Sequence, residues 1–185
     1  MWGRQSCLQP AFSRLDPLKS GSAAWIGCAT SAESQLSEIR TDTTLAYRAE
    51  RALAGAPAQF AALPGAVRTP GEILAHMGDL LDWALSMADG APKWRDSAPI
   101  PWDRGIERFF TAIEALDQRL APGGPLAAPA EKLFQGTIAD ALTHVGQIAM
   151  LRRLAGFPQH GENYYEADIA VGRVGLDQAP ARVVF

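Results

Sequence analysis

Three observations predict an all-α protein, a four-helix bundle. Alanine occurs 33 times, most often between residues 46 and 155, against 23 Val, Ile and Thr residues together. Alanine is the best helix former and the β-branched types favour strands. Apolar residues also recur at three- and four-residue steps in four separate stretches. Between those stretches stand clusters of proline and glycine that end helices. A chain of 185 residues is long enough to bury one core without disulfides or a structural metal.

Residues 1–32 read as an irregular N-terminal arm, because Pro10, Pro17, Gly21 and Gly27 interrupt any period. Trp2, Trp25 and Ile26 are its anchors if it docks, and an upstream start codon would also account for it. The bundle is expected over 33–156. Its first helix covers 33–55, with Leu36, Ile39, Thr43, Ala46 and Leu53 on the apolar side and Gly55 and Pro57 as the stop. A short apolar piece, Phe60 to Leu63, leads to a turn at Pro64-Gly65. The second helix has the clearest start: Thr69 at the N-cap, Pro70 at the first helical position and Glu72 at the third make a capping box. Ile73, Met77, Leu80, Leu81, Ala84 and Ala88 form its stripe, and Gly90 and Pro92 end it near residue 89. The third helix runs from 103 to 120 with Asp103 as N-cap and Ile106, Phe109, Phe110, Ile113, Leu116 and Leu120 facing inward. The fourth, 131–155, closes with Arg152 and Arg153 in its last turn, where cations answer the helix dipole, followed by Gly156 and Pro158. Residues 157–185 are expected as an irregular tail packed on the bundle, with one short strand at 169–171. The connections before the last three helices are long enough for more than simple up-down links.

Charge and composition exclude several function classes. Seventeen basic against twenty acidic residues leave a net charge of −3, which gives no electrostatic reason for nucleic acid or an anionic membrane as partner. No run of apolar residues is long enough to span a bilayer, and no secretory leader is evident, so a cytoplasmic protein is expected. Cys7 and Cys28 do not make a disulfide framework and have no local histidine to activate them.

The informative departure from plain amphipathicity lies in the fourth helix. At about 100° per residue, Thr137, Ala141, His144, Ile148, Leu151 and Ala155 share one face, so His144 stands in a core stripe. Asp140 precedes it by four residues and Gln147 follows by three, at neighbouring points of that face. Burying an unpaired carboxylate or imidazole is costly, so these groups need a partner. His76 stands at the edge of the stripe on the second helix. One histidine from one helix and an Asp-x-x-x-His pair from another make a workable N/O ligand set with an open position. A hydrogen-bonded core histidine or a plain Asp–His ion pair has the same spacing. Asp79, Trp83 and Gln147 are candidates for supporting the ligands or lining a pocket. His160 to Glu166 is polar and aromatic enough for a lid over the bundle mouth, a surface tail or an interface. No general base stands out.

The segment from Thr69 through His76 and Asp79 to Trp83, with Asp140, His144, Gln147 and Arg152-Arg153 downstream, resembles the DinB-like (DinB/YfiT) superfamily over roughly residues 40–156. The resemblance implies an up-down-down-up bundle carrying a divalent metal on one histidine of the second helix and a His-x-x-x-His pair of the fourth. Carried across, the metal ligands are His76, Asp140 and His144. Asp140 stands where many relatives have histidine. The mycothiol-dependent branch uses a glutamate there, one methylene longer, so Asp140 ligates directly or through a water. The implied metal is zinc by default, with nickel, manganese or iron as alternatives. The implied activities are low-molecular-weight-thiol S-transfer, as in bacillithiol-using transferases and mycothiol-dependent maleylpyruvate isomerase, or hydrolysis of a small molecule. The expected partners are a small-molecule substrate, a low-molecular-weight thiol among the candidates, and a second copy in a homodimer. The competing reading is a non-catalytic dimeric bundle with a structural metal or none, pairing through apolar residues such as Leu85, Trp94 or Trp102.

Overall fold

The computed structural model describes residues 32–64 and 67–185, with backbone alone for 32–40. The arm with its tryptophans and cysteines, the side chains of Leu36 and Ile39, and Gly65 of the expected turn lie outside the described residues.

Long helices form where the apolar periods predict them. They are α1 (Ala32–Leu53), α2 (Pro70–Ala88) and α3 (Trp102–Leu120), then a short α4 (Ala130–Leu133) and α5 (Ala139–Leu154). Phe60 sits in a 3₁₀ turn, Ala58–Ala62. The capping box of α2 is complete. Thr69 accepts from the Glu72 amide, and the Glu72 carboxylate accepts from the Thr69 amide at 2.6 Å. Past its end, Gly90 takes φ 76°, the left-handed conformation that closes a helix.

The helices surround one core. Leu45, Ala49 and Leu53 of α1 meet Met77 and Leu81 of α2, Phe109 and Ile113 of α3, and Val145 and Ile148 of α5, all buried. Each fully buried side chain of this size contributes roughly 1.5–3 kcal/mol, so this cluster dominates the stability of the bundle. α2 packs against α3 and α5, and α1 packs against the same two, which places α1 and α2 on a diagonal. On the α2–α3 seam, Gly105 lies under Leu74. A Cβ there would stand 2.9 Å from the leucine Cδ2, so glycine permits the close approach.

Four details differ from the sequence reading. α3 starts at Trp102 with Pro101 at the cap, ahead of Asp103. Trp102 is 2 % exposed and meets the Phe60 ring edge-on at 5.3 Å, so this contact winds the helix one residue earlier and removes Trp102 from any surface. The fourth helix is not uniform: a π turn, Phe134–Ile138, separates α4 from α5. The tail forms no strand at 169–171, and the described residues pair only at an isolated bridge between Glu162 and Val184. Nor does the segment 160–166 cover the metal candidates. It packs on α1, where Tyr47 donates to the buried Glu162 carboxylate at 2.5 Å and Arg51 Nε donates at 3.2 Å.

Arg152 also does more than answer a dipole. Its buried guanidinium donates to the carbonyls of Ala52 and Ala54, each at 2.9 Å, and to that of Phe157 at 3.0 Å. It thereby caps the end of α1 and the chain leaving α5 together.

Candidate metal centre

The α2–α5 seam holds the polar groups of interest. Asp140 and His144 are one turn apart on α5, and His76 comes from the middle of α2. The π turn ends at Ile138, two residues before Asp140. It takes one residue more per turn than an α-helix and therefore sets the angular phase at which Asp140 and His144 leave α5. Thr137 steadies it by donating to the Leu133 carbonyl at 2.5 Å.

The three side chains converge. His76 Nε2 lies 3.8 Å from Asp140 Oδ2, and His144 Nε2 lies 3.7 Å from Asp140 Oδ1. The two imidazoles meet edge to face at 4.9 Å between centroids. One ligand atom from each residue lies within 4.8 Å of the others. These gaps are too wide for hydrogen bonds. They are only a little wider than the ~3.3 Å that separates ligand atoms set about 2 Å from a common zinc ion in a tetrahedron. Two imidazole nitrogens and a carboxylate oxygen gathered within 4.8 Å are a donor set of the kind that takes a divalent ion, once the side chains draw in around it.

The protonation states fit as well. His144 Nδ1 lies 3.0 Å from Gln147 Oε1. With the amide oxygen facing the ring, Nδ1 is the donor, which leaves Nε2, on the Asp140 side, as the nitrogen available to a metal. Burial holds His76 below the ordinary histidine range, helped by His144 and Arg68 and opposed by Asp140 and Asp79. A neutral imidazole is the form that ligates.

The supporting candidates divide. Gln147 orients a ligand. Asp79 does not face the group. It is 1 % exposed and accepts from the Ser97 amide at 2.8 Å, the Ser97 hydroxyl at 2.7 Å and Arg108 at 2.6 Å. Burial raises its pKa, but the Ser97 donors and the Arg108 guanidinium outweigh that and leave it below the usual carboxylate range. Gly78 makes room for this arginine, since a Cβ there would lie 2.7 Å from its Nη1. Asp79 therefore pins the 91–100 loop. Trp83 reaches the site through that loop, its ring edge-on to Trp94 at 5.5 Å, and Trp94 stands edge-on to His76 at 5.6 Å.

A cleft of about 590 Å³ opens over the histidines, lined by Val67, Arg68, Ile73, Met150 and Leu151 besides His76, His144 and Gln147. Trp94, Arg68 and Met150 are site residues that sequence reasoning missed. The first two stand in connections without period, and Met150 reads as an ordinary exposed helix position. Among the described residues no helix is long and apolar enough to cross a membrane. Compared with protein-family models, curated proteins and solved structures, the chain matches none.

Proposed function

We propose that His76, Asp140 and His144 hold a divalent metal, zinc first, and that the protein is a DinB-like thiol S-transferase or small-molecule hydrolase acting in the cytoplasm. The observation that carries this reading is the convergence of two imidazoles and a carboxylate at 3.7–3.8 Å, unsatisfied by one another, with both imidazoles lining an open cleft. The ion would supply Lewis acidity and bring a bound water or thiol toward ionisation near neutral pH. The chain's own residues do the rest. Gln147 holds the His144 ring in its ligating tautomer, Trp94 shields His76 from one side, and the apolar walls exclude water from a bound electrophile.

The test uses zinc-loaded protein with small thiols (cysteine, glutathione) and 1-chloro-2,4-dinitrobenzene, beside p-nitrophenyl acetate without thiol. Zinc-dependent turnover of either electrophile, abolished in His144→Ala, supports the enzyme reading. Zinc binding with neither activity favours a structural metal in a dimeric bundle. That second reading is favoured by Met150 and Leu154, which leave 57 % and 75 % of their surface exposed on α5. Light scattering at the subunit mass would remove it.

A further inference from the structure

The cleft over the histidine pair has the volume of a small-molecule site, within the ~300–1,000 Å³ that such pockets occupy. Its walls are apolar: Val67, Ile73, Met150 and Leu151. Val67 is 92 % exposed and Met150 57 %, so large apolar side chains stand in water around one concavity. Clustered exposure of that kind marks binding surfaces more than packing ones. Apart from the histidines, one charged side chain lines the cleft, and it is Arg68. No described carboxylate lies within ion-pair distance of it. The nearest acid in sequence, Glu72, feels the Arg68 charge but accepts its hydrogen bonds from the Thr69 amide at 2.6 Å and the Thr69 hydroxyl at 3.0 Å. Among the described residues the cleft thus has an apolar body, one cation without an ion-pair partner, and two of the three metal candidates, His76 and His144.

We propose that this cleft selects small molecules with an apolar body and a carboxylate end. The carboxylate pairs with Arg68 while the opposite end of the molecule reaches His76 and His144. A guanidinium binds a carboxylate through two parallel hydrogen bonds, and apolar walls beside the pair strengthen it. The assignment of which end faces the ligands rests on the metal reading above. The carboxylate selection itself stands on the cleft alone.

The experiment separates the two. Full-length protein is loaded with zinc, its zinc content is measured, and it is titrated with suberic acid monohydroxamate and with octanoyl hydroxamate. These probes share a chelating end and differ by the terminal carboxylate. Five- and six-carbon pairs bracket the span. Binding is followed by calorimetry and by tryptophan fluorescence, since Trp94 stands against His76. The carboxylate probe of the best-fitting length should bind about tenfold more tightly than its neutral partner. In Arg68→Gln that preference should fall to about onefold, with the neutral probe unchanged. Equal binding of both probes at every length, or a preference that survives Arg68→Gln, overturns the proposal while leaving the metal reading intact. If no zinc is taken up, the metal reading fails and octanoate is compared with octanamide on the metal-free protein. A preference for octanoate that depends on Arg68 then still supports carboxylate selection, and its absence overturns it.

Discussion

Two of the polar clusters in this helical bundle are satisfied in opposite ways. Where the tail meets α1, Glu162 accepts from Tyr47 and Arg51, Arg51 donates onward to the Tyr47 hydroxyl at 2.9 Å and to the Ala179 carbonyl, and Arg152 caps two chain ends with its donors. The strong charged groups there meet partners at hydrogen-bond distance. On the α2–α5 seam, by contrast, Asp140 faces two imidazoles across gaps of 3.7 and 3.8 Å. A cluster that closes on itself stabilises a fold, because each buried group regains what it lost with water. A cluster left open between helices, with its Asp140 carboxylate 44 % exposed, stays partly solvated and keeps room for something else. That difference separates the structural cluster from the candidate site more reliably than residue type does.

The largest effect should come from breaking the closed cluster. Arg152→Met leaves buried carbonyls at the end of α1 without a donor and should lower unfolding stability by about 3 kcal/mol. Zinc stoichiometry at a temperature where the variant is folded should not change. Denaturant melts beside elemental analysis check both halves.

Asp79→Asn should come next, at about 2–3 kcal/mol, because Arg108 keeps its charge in a half-buried position and loses its most buried partner. The same change loosens the 91–100 loop, so the emission of Trp94 should shift even where the fold persists.

A third cut concerns Asp42, fully buried on α1. Burial, with Asp117 beside it, pushes its carboxyl up to about 7. A carboxyl that holds its proton in the folded state but releases it near pH 4 when unfolded loses stability as pH rises from about 4 to 7. At 1.36 kcal/mol per unit, roughly halved for relaxation around the charge, the loss is about 2 kcal/mol. Asp42→Asn should match the parent at pH 4 and exceed its stability by about that amount at pH 8, as pH-dependent melts would read.

The smallest stability effect should come from the open cluster. Gln147→Ala should weaken zinc affinity about tenfold by releasing the His144 tautomer. Its stability should stay within about 0.5 kcal/mol of the parent, since Gln147 is exposed. A competition titration with a chelating dye measures the first and a thermal melt the second.

The sequence makes the same division partly legible. The start of α2 is readable because a capping box is local: Thr69, Pro70 and Glu72 act on each other's backbone within one turn. The start of α3 is not, because the Trp102–Phe60 contact that fixes it joins distant residues. The π turn has no residue signature, although Gly136 and Thr137 sit inside it. His76, Asp140 and His144 are readable as candidates since helical spacing alone puts Asp140 and His144 on one face. Asp79 illustrates the limit of that reasoning. Three residues after His76, it is turned about 60° around α2 and meets Arg108 of α3. Trp83, seven residues after His76, returns to nearly the same face but two turns along, so it reaches the site only through Trp94. Trp94 and Arg68 belong to connections, where no period tells which way a side chain points.

The central claim is that the open cluster is a metal site, and metal stoichiometry tests it most directly. Purified protein, reconstituted with zinc and desalted, is analysed by elemental mass spectrometry beside Asp140→Ala and His144→Ala, with melts confirming that all three are folded. The account predicts about one equivalent in the parent, none retained by His144→Ala and a weakened, partial content in Asp140→Ala. No metal in the folded parent, or equal metal in all three proteins, would contradict it and leave His144 as a half-buried histidine beside Asp140.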